Sequence, residues 1–288
     1  MNRSSKREAS AATIVLQAIN SLTEDYSFER SFKLVEGKIY STRFLASFRE
    51  SALGSDPLAS LIALTKRLNI PDRYVAMIQH NFPSSDIFHL GYEQQEDIQI
   101  CKLYMDFREP LLHAIKHRDT HTDTVLIHQA FKWDASCPTT CSVSNYQCNK
   151  PLLTPKEISE RLAQIYEGDE GSFTYQAALD FIAATKERMA GKSMFLMEAE
   201  EEGNPRYSYD INVYGGEATL IDAVPVIRKI ADHFSIDDEQ WQPLIQGNEM
   251  ALLGHLSGGT DRRAREFLTV YFGMETRSPK PPYSFMHG

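Results

Sequence analysis

Three segments of the sequence place a polar residue two positions before a tyrosine, a spacing that can bring both side chains to one surface. The three pairs are Lys102 and Tyr104, Asn212 and Tyr214, and Thr269 and Tyr271. In a β-strand, residues i and i+2 face the same side, so the members of each pair would point into the same space. Lysine, amide and phenol groups donate hydrogen bonds to anions, and the faces of tyrosine rings attract cations. The pattern therefore predicts a surface that can bind an anionic group beside a positively charged one.

The residues next to these pairs are apolar and would face the opposite side of each strand. They are Cys101, Leu103, Met105, Ile211, Val213, Leu268, Val270 and Phe272. The polar face also carries Asp106, Asp210, Arg263 and Arg265. A solvent-exposed antiparallel sheet would show the same alternation, but exposed faces favour lysine and glutamate over matched tyrosines. The alternation therefore favours a closed barrel with a polar and aromatic lumen.

The segments that carry these residues are predicted to be β-hairpins separated by helices, in an α+β fold. The sequence predicts hairpins over residues 86–107, 193–214 and 251–273, and a further strand over 122–135. Helical periodicity and capping signals predict helices over 11–22, 57–69, 72–82, 154–168, 175–189, 220–234 and 236–246. This repeated order predicts a single domain over residues 1–288, with irregular ends at 1–10 and 277–288.

Composition and charge disfavour several classes of partner. The 288 residues are 42% hydrophobic and 24% charged, and their formal net charge is −9, which argues against a nucleic-acid partner. No apolar run is as long as a membrane span, and the first ten residues, MNRSSKREAS, lack the apolar segment of a signal peptide. We therefore expect a soluble, cytoplasmic protein without a membrane partner, either a monomer or a homodimer.

Three of the four cysteines, Cys137, Cys141 and Cys148, lie close together in the segment CPTTCSVSNYQC. Their spacing matches none of the compact zinc-binding patterns, although His121 or His128 could complete a set of four ligands. A loop with reduced thiols is the interpretation that we favour, and one disulfide within the loop remains open.

Three strands carry a resemblance to a known family. The segments CKLYMDF, DINVYGGEATLIDAVPVIRKI and AREFLTVYFG resemble the Lys-x-Tyr and Asn-x-Tyr strands of the aromatic prenyltransferases with the ABBA, or PT-barrel, fold. The resemblance covers about residues 85 to 275. It implies an antiparallel β-barrel of repeated ββαα units, with the helices outside and the active site in the lumen. It also implies transfer of a short isoprenoid, dimethylallyl or geranyl, from its diphosphate to an indole-containing small molecule, with hapalindole-type alkaloids as one option.

The resemblance also implies roles for residues of this sequence. Contacts to the isoprenoid diphosphate are expected from Arg43, Lys102, Tyr104, Lys132, Asn212, Tyr214, Arg265 and Tyr271. The group that takes the proton of the aromatic acceptor would be Asp106, Glu198 or Asp210, with His89, His128 and His255 as further candidates. Contacts to the acceptor are expected from His128, Trp133 and Thr269. The family requires no cofactor, although some members use Mg²⁺, and we predict no metal ligands in this chain.

Motifs of several other enzyme classes are missing from the sequence. It has no aspartate-rich DDxxD run, which disfavours a metal-clustering, all-helical prenyltransferase or terpene cyclase. It also has no P-loop, no GxGxxG turn, no GxSxG elbow and no HExxH helix.

Three other functions remain open at this point. The barrel could bind a hydrophobic small molecule without transforming it, and a lumen without converging lysines and arginines would favour that function. It could be a lyase or cyclase with Asp106 or Glu198 as its base, which an assay for pyrophosphate release would distinguish from a transferase. An interaction protein would instead have an open sheet with an apolar exposed patch and no enclosed lumen.

Overall fold

The computed structural model describes residues 11–117, 124–137, 139 and 141–277. The segments 1–10 and 278–288, which the sequence predicts to be irregular, lie outside these residues, as does His121. Arg277 is described, and it ends a strand rather than beginning an irregular tail.

The described part of the chain contains eleven strands, ten of which form a closed antiparallel barrel. In chain order the strands are β1 (Tyr26–Val35), β2 (Lys38–Tyr40), β3 (Arg43–Arg49), β4 (Ile87–Gln95), β5 (Ile98–Asp106), β6 (Val125–Asp134), β7 (Cys141–Cys148), β8 (Phe195–Glu201), β9 (Asn204–Asn212), β10 (Leu253–Thr260) and β11 (Glu266–Arg277). Barrel neighbours follow chain order from β3 to β11, and β1 pairs with both of these strands to close the ring. The short strand β2 pairs antiparallel with the last three residues of β1, Lys33 to Val35. Because closure removes the sheet edges, an open-sheet interaction protein is excluded.

Helices cover the outside of the barrel and bury its apolar face. They are α1 (Ala11–Leu22), α2 (Pro57–Arg67), α3 (Asp72–Asn81), α4 (Arg108–His117), α5 (Pro155–Ile165), α6 (Phe173–Thr185), α7 (Leu220–His233) and α8 (Asp238–Ile245). One buried cluster joins α1, α2 and α3 to β3–β6, and a second joins α5–α8 to β8–β11. None of the helices in the described residues is long and apolar enough to cross a lipid bilayer.

Local sequence signals begin two of these helices as predicted. The carboxylate of Asp56 accepts a hydrogen bond from the backbone N–H of Ala59 at 3.0 Å, directly before the proline that begins α2. Thr154 and Glu157 form a reciprocal capping box at the start of α5. Such caps satisfy N–H groups that have no partner inside the helix, so they fix where each helix begins.

The three predicted hairpins are confirmed as β4–β5, β8–β9 and β10–β11, and the further strand as β6. The sequence analysis missed β1, β2, β3, β7 and α4. A register shift between Phe28 and Arg30 interrupts the alternation of β1, so its period of two is not visible in the sequence. Strand β7 has the sequence CSVSNYQC, and its serine and asparagine residues favour turns.

The predicted cysteine loop is therefore wrong, because most of it is strand β7. Cys141 and Cys148 lie at opposite ends of this strand, about 23 Å apart at the usual rise per residue. They cannot bind one zinc ion together, nor form a disulfide with each other. Cys137 follows β6, and all four cysteines are free thiols.

The Trp133 ring packs on the outer side of the barrel wall, although the residue also borders the cavity of the barrel, so its predicted contact with the acceptor stays a prediction. Its side chain is 1% exposed, and its indole N–H donates a hydrogen bond of 2.7 Å to the carbonyl oxygen of Leu68, directly after α2. Trp133 thereby attaches the end of α2 to the barrel wall.

Replacing Trp133 by alanine should lower the free energy of unfolding by about 3–5 kcal/mol, because it removes a large buried ring and leaves a carbonyl without its donor. Urea unfolding of the full chain measures the change. Ile221 on α7 is 49% exposed, so Ile221→Ala is a matched control that should change stability by less than ~0.5 kcal/mol. Equal effects of the two substitutions would contradict an anchoring role for Trp133.

Candidate active site

The predicted polar face points into the barrel, where it surrounds a cavity of about 870 Å³. Cross-strand pairing brings Gly91 beside Lys102, and Lys102 beside Lys132, on the same face of the wall. Gly91 has a steric role here, because a Cβ atom at this position would lie 3.3 Å from the Cβ atom of Lys102. The missing side chain leaves room for Lys102 to extend along the wall. The cavity has the size of a typical small-molecule site.

Four basic side chains from four strands converge on this cavity: Lys33, Arg43, Lys102 and Lys132. Two of them, Arg43 and Lys102, bind the carboxylate of Glu93 on β4, which lies 2.5 Å from Arg43 Nη1 and 2.5 Å from Lys102 Nζ. Lys33 adds positive charge near the same carboxylate. Both Arg43 and Glu93 have side chains only 5% exposed. The cations in this cluster therefore outnumber the carboxylate at its centre.

The protonation of this cluster reflects competition between burial and neighbouring charge. Burial alone would raise the pKa of Glu93, but Arg43, Lys102 and Lys33 hold it well below its ordinary value. Burial lowers the pKa of Lys102, and the like charges of Arg43 and Lys132 add to this effect, while Glu93 opposes it. An additional anion in the cavity would favour the charged form of Lys102.

Arg265 lies away from this cluster, at the mouth of the cavity in the turn between β10 and β11. Its guanidinium group binds Asp261 through Nε at 2.9 Å and Nη2 at 2.7 Å, and its side chain is 64% exposed. Other charges of the mouth are paired in the same way, including Lys38 with Glu96. The structure thus places Arg265 in a rim ion pair rather than beside the other predicted diphosphate ligands.

Tyrosine rings form the wall of the cavity next to the cations. Tyr104, Tyr146 and Tyr271 line it, and the rings of Tyr104 and Tyr146 lie 5.8 Å apart. Lys132 Nζ donates hydrogen bonds to the Tyr146 hydroxyl at 3.2 Å and to Ser144 Oγ at 3.1 Å. Burial raises the pKa of Tyr104 and Tyr271 above the ordinary value, so both phenols stay neutral. Thr269, a predicted acceptor contact, also lines this cavity.

Asp210, predicted as a base, belongs to a buried network around His255. Asp210 Oδ2 lies 2.7 Å from His255 Nδ1, and Glu29 Oε2 lies 3.4 Å from His255 Nε2. Burial would lower the pKa of His255, but the two carboxylates raise it to about 10. The ring of His255 stacks on that of Tyr271 at 3.8 Å, so this network adjoins the cavity wall.

Tyr214 and Asn212 belong to the same region and not to the cation cluster. The Tyr214 hydroxyl donates a hydrogen bond to Glu29. The side-chain oxygen of Asn212 accepts a hydrogen bond of 3.1 Å from the backbone N–H of Tyr214, where strand β9 ends. The Tyr214 hydroxyl and the amide oxygen of Asn212 thus have partners outside the cation cluster, and a contact of either residue with a diphosphate stays a prediction.

His89, Asp106 and His128 form a third polar cluster, on the neighbouring strands β4, β5 and β6. Asp106 lies 4.0 Å from His89 Nε2 and 3.7 Å from His128 Nδ1. Burial raises the pKa of Asp106 to about 7 and lowers the pKa of His89 to about 4 and that of His128 to about 3. The rings of Tyr104 and Tyr146 lie 6.2 Å from those of His89 and His128, respectively.

Glu198, predicted as a base, lies on the outer face of the barrel and away from the cavity. Arg161 on α5 binds both of its carboxylate oxygens, at 2.7 and 2.8 Å, and the Tyr207 hydroxyl donates to it at 2.7 Å. Its strand neighbours Met197 and Ala199 face inward, opposite Asp210 and Ser208.

One signal for these corrections was present in the sequence, and others were not. Lys132 and Trp133 are adjacent in one strand, so they cannot both face the lumen. The roles of Lys33 and Tyr146 were missed because β1 and β7 were not recognised as strands. Glu93 was missed because pairing between strands, which sets its contact with Lys102, is not visible in a single sequence.

Solved structures with the same architecture include several prenyltransferases. The chain aligns with 5-dimethylallyl tryptophan synthase from Streptomyces coelicolor, in complex with DMASPP and Trp, with a TM-score of 0.61 and 12% identity over 90% of this chain and 82% of that one. The apo form of prenyltransferase PriB aligns with a TM-score of 0.57 and 12% identity, over 90% of this chain and 83% of that one. AnaPT from Neosartorya fischeri aligns with a TM-score of 0.53 and 12% identity, over 86% of this chain and 79% of that one. No family model and no curated protein sequence matches the chain. At this identity the likeness establishes the fold, which is the PT barrel.

The stability of the protein should fall as the pH rises from neutral to alkaline values, because of His255. The pKa of His255 is about 10 when folded and 6.5 ordinarily, so its contribution is complete below about pH 6.5 and is lost as the pH rises through 10. The proton bound only by the folded state adds up to about 1.4 kcal/mol per pH unit to the decline. Urea unfolding at increasing pH should show a shallower decline for His255→Gln than for the unmodified chain. His80 is exposed, so His80→Gln is the control and should follow the unmodified chain. Parallel profiles of stability against pH for the unmodified chain and both variants would contradict the charged state of His255.

Proposed function

We propose that this protein transfers a short isoprenoid, dimethylallyl or geranyl, from its diphosphate to an indole-containing small molecule. The observation that carries the proposal is the convergence of Lys33, Arg43, Lys102 and Lys132 on a cavity whose wall is built of tyrosine rings. The PT-barrel fold supports it, since solved proteins with this fold include a tryptophan prenyltransferase in complex with DMASPP and Trp. A barrel that only binds a hydrophobic molecule would not need the buried Arg43 and the partly buried Lys33, Lys102 and Lys132 to converge on its cavity.

The first step of the proposed reaction is breakage of the bond between the allylic carbon and the diphosphate oxygen. The electron pair of this bond remains on the oxygen, so negative charge grows on the leaving group. Lys102 and Arg43 would bind the diphosphate oxygens with charge-assisted hydrogen bonds. These cations are held in place by Glu93 and by Ser31, whose Oγ lies 3.2 Å from Arg43 Nε. Groups fixed in advance stabilise the developing charge without reorganising during the reaction.

The allylic cation that remains would be held against the tyrosine rings. Tyr104, Tyr146 and Tyr271 present aromatic faces to the cavity, and such faces attract cations. Because the three residues are packed in the barrel wall, they also restrict the access of water that would quench the cation. The neutral state of Tyr104 and Tyr271 prevents a phenolate from trapping it.

The last step is attack by an electron-rich carbon of the indole ring, followed by loss of the proton on that carbon. We propose Asp106 as the proton acceptor. Glu93, Glu29 and Asp210 each lie within ion-pair distance of a charged cationic partner. Asp106 instead lies between two uncharged imidazole rings, two residues beyond Tyr104 on the same face of β5. An indole held against the rings of Tyr104 and Tyr146 would lie on this face of the wall.

The direct test is incubation of the full chain with dimethylallyl or geranyl diphosphate and a panel of indoles. Mass spectrometry should detect product with one added prenyl group, and pyrophosphate should appear in equal amount. Lys102→Ala and Lys132→Ala should each lower kcat/KM by about 10²–10³-fold, because each removes a donor to the leaving group. Lys66 on α2 is exposed on the outside of the barrel, so Lys66→Ala is the matched control.

The outcomes of this assay separate the candidate functions. Pyrophosphate release without a prenylated acceptor would favour a lyase or cyclase. An absence of both product and diphosphate-dependent stabilisation would overturn the proposal and favour a binding barrel. Unchanged turnover in Lys102→Ala and Lys132→Ala would show that the diphosphate binds elsewhere.

Glu93→Gln should lower the stability of the ligand-free protein and increase its affinity for pyrophosphate. The substitution leaves the buried Arg43 and Lys102 without their carboxylate, which costs about 3–5 kcal/mol for a broken buried ion pair. An added anion would then replace the missing charge, so calorimetry should give about tenfold tighter binding of pyrophosphate. Thermal unfolding should show a larger stabilisation by pyrophosphate than in the unmodified chain. Glu96→Gln alters an exposed rim pair and serves as the control; equal behaviour of both variants would contradict a central role for Glu93.

A further inference from the structure

Three partly buried side chains on the inner face of the barrel wall have buried polar atoms that face one another without hydrogen bonds. The atoms are His89 Nε2, Asp106 Oδ1 and His128 Nδ1, and each is inaccessible to solvent and without a hydrogen-bond partner among the described residues. We infer that His89, Asp106 and His128 form a binding site for a divalent transition-metal ion, separate from the diphosphate site. This inference does not depend on the proposed function.

The distances among the three residues are suited to a shared ion. The candidate ligand atoms all lie within 4.8 Å of one another. Asp106 Oδ1 lies 3.7 Å from His128 Nδ1, and Asp106 Oδ2 lies 4.0 Å from His89 Nε2. These separations are too long for direct hydrogen bonds. Bonds of about 2.0–2.1 Å to a tetrahedral zinc ion place its ligand atoms about 3.3–3.5 Å apart. Binding therefore requires the three groups to move together by less than about 1 Å, which small side-chain rotations can provide.

The neighbouring residues hold the first histidine in the orientation that a ligand needs. Ser47 Oγ on β3 lies 2.6 Å from His89 Nδ1, so the other ring nitrogen, Nε2, points toward Asp106. A hydrogen bond to the second nitrogen of a metal-binding histidine is the usual outer contact, because it fixes the tautomer and the ring direction. The ligands themselves come from three adjacent strands of a closed barrel, and direct pairing of Asp106 with His128 sets their spacing.

The types of the ligand atoms indicate the class of ion. Two imidazole nitrogens and one carboxylate suit Zn²⁺, Co²⁺ or Fe²⁺, whereas Mg²⁺ and Ca²⁺ prefer sets of oxygen ligands. Three protein ligands leave at least one coordination position open, as in catalytic zinc sites. The site differs from a Mg²⁺ site on the substrate diphosphate, because Lys102, Arg43 and Glu93 belong to a different cluster. A bound ion would occupy the carboxylate that we propose as the base, so metal and proton compete for Asp106.

Titration of the metal-free full chain with Co²⁺ tests the inference. The protein is purified without a histidine tag, stripped with a chelator and titrated while the visible absorption of Co²⁺ is recorded. We expect one equivalent of Co²⁺ to bind with an intense absorption band, and one equivalent of Zn²⁺ to displace it. His89→Ala and His128→Ala should each weaken binding by at least about 100-fold, and Ser47→Ala by about 10-fold.

Control variants separate this site from other histidines and from the diphosphate site. His80→Ala, on the outer surface of α3, and Lys102→Ala should bind Co²⁺ as the unmodified chain does. Because binding is read from absorption, an inactive protein that binds Co²⁺ would leave the inference standing and reject only the proposed function. A lack of stoichiometric binding, or equal binding by His128→Ala, would overturn it and indicate that bound water satisfies these groups. Binding that required pyrophosphate would also overturn it.

Discussion

The pairing of the first strand with the last is the constraint on which the rest of this structure depends. Residues of β1 pair with β11 from Tyr26 with Arg277 to Leu34 with Leu268, and this contact converts a ten-stranded sheet into a ring. In an open sheet the polar face would be hydrated, and its charged groups would lose little solvation free energy on folding. Closure withdraws that face from bulk water, so each charge on it must find a partner or a ligand. The helices outside stabilise the ring by burying its apolar face. This face is formed by the outward residues, which alternate along each strand with the polar inward ones.

The closed lumen contains three polar clusters whose charge balance differs. Around Glu93, cations outnumber the carboxylate, so this cluster attracts an anion. Around His255 the cation lies between Glu29 and Asp210, and the Tyr214 hydroxyl also binds Glu29, so this network is satisfied by its own members. Around Asp106 two neutral imidazoles and a carboxyl group leave buried atoms unpaired, so this cluster attracts a cation. Neighbouring regions of the barrel wall are thus suited to ligands of opposite charge, because successive inward-facing positions of each strand carry different residues.

The sequence predicted the barrel from a pattern that closure itself requires, which is polar and apolar alternation along β5, β9 and β11. It failed where the alternation is interrupted or chemically weak, as at the register shift after Phe28 and in the polar strand β7. It also failed where a role depends on the partner strand. Lys102 was visible from its own strand, but its ion-pair partner Glu93 is nine residues earlier on β4 and required knowledge of the register. Asn212 and Tyr214 matched the expected motif, yet their side chains are used by a turn and by Glu29.

The low identity to proteins of the same fold follows from what the barrel does and does not constrain. Outward residues need only be apolar and of suitable volume, so many sequences can pack the same helices on the same wall. Inward residues are free to change as long as their charges are balanced within the lumen or by a ligand. An identity of 12% with a TM-score of 0.61 is therefore compatible with a shared architecture and a distinct interior. It follows that the chemistry of this protein must be argued from its own interior, namely from the cations around Glu93 and the unpaired atoms around Asp106.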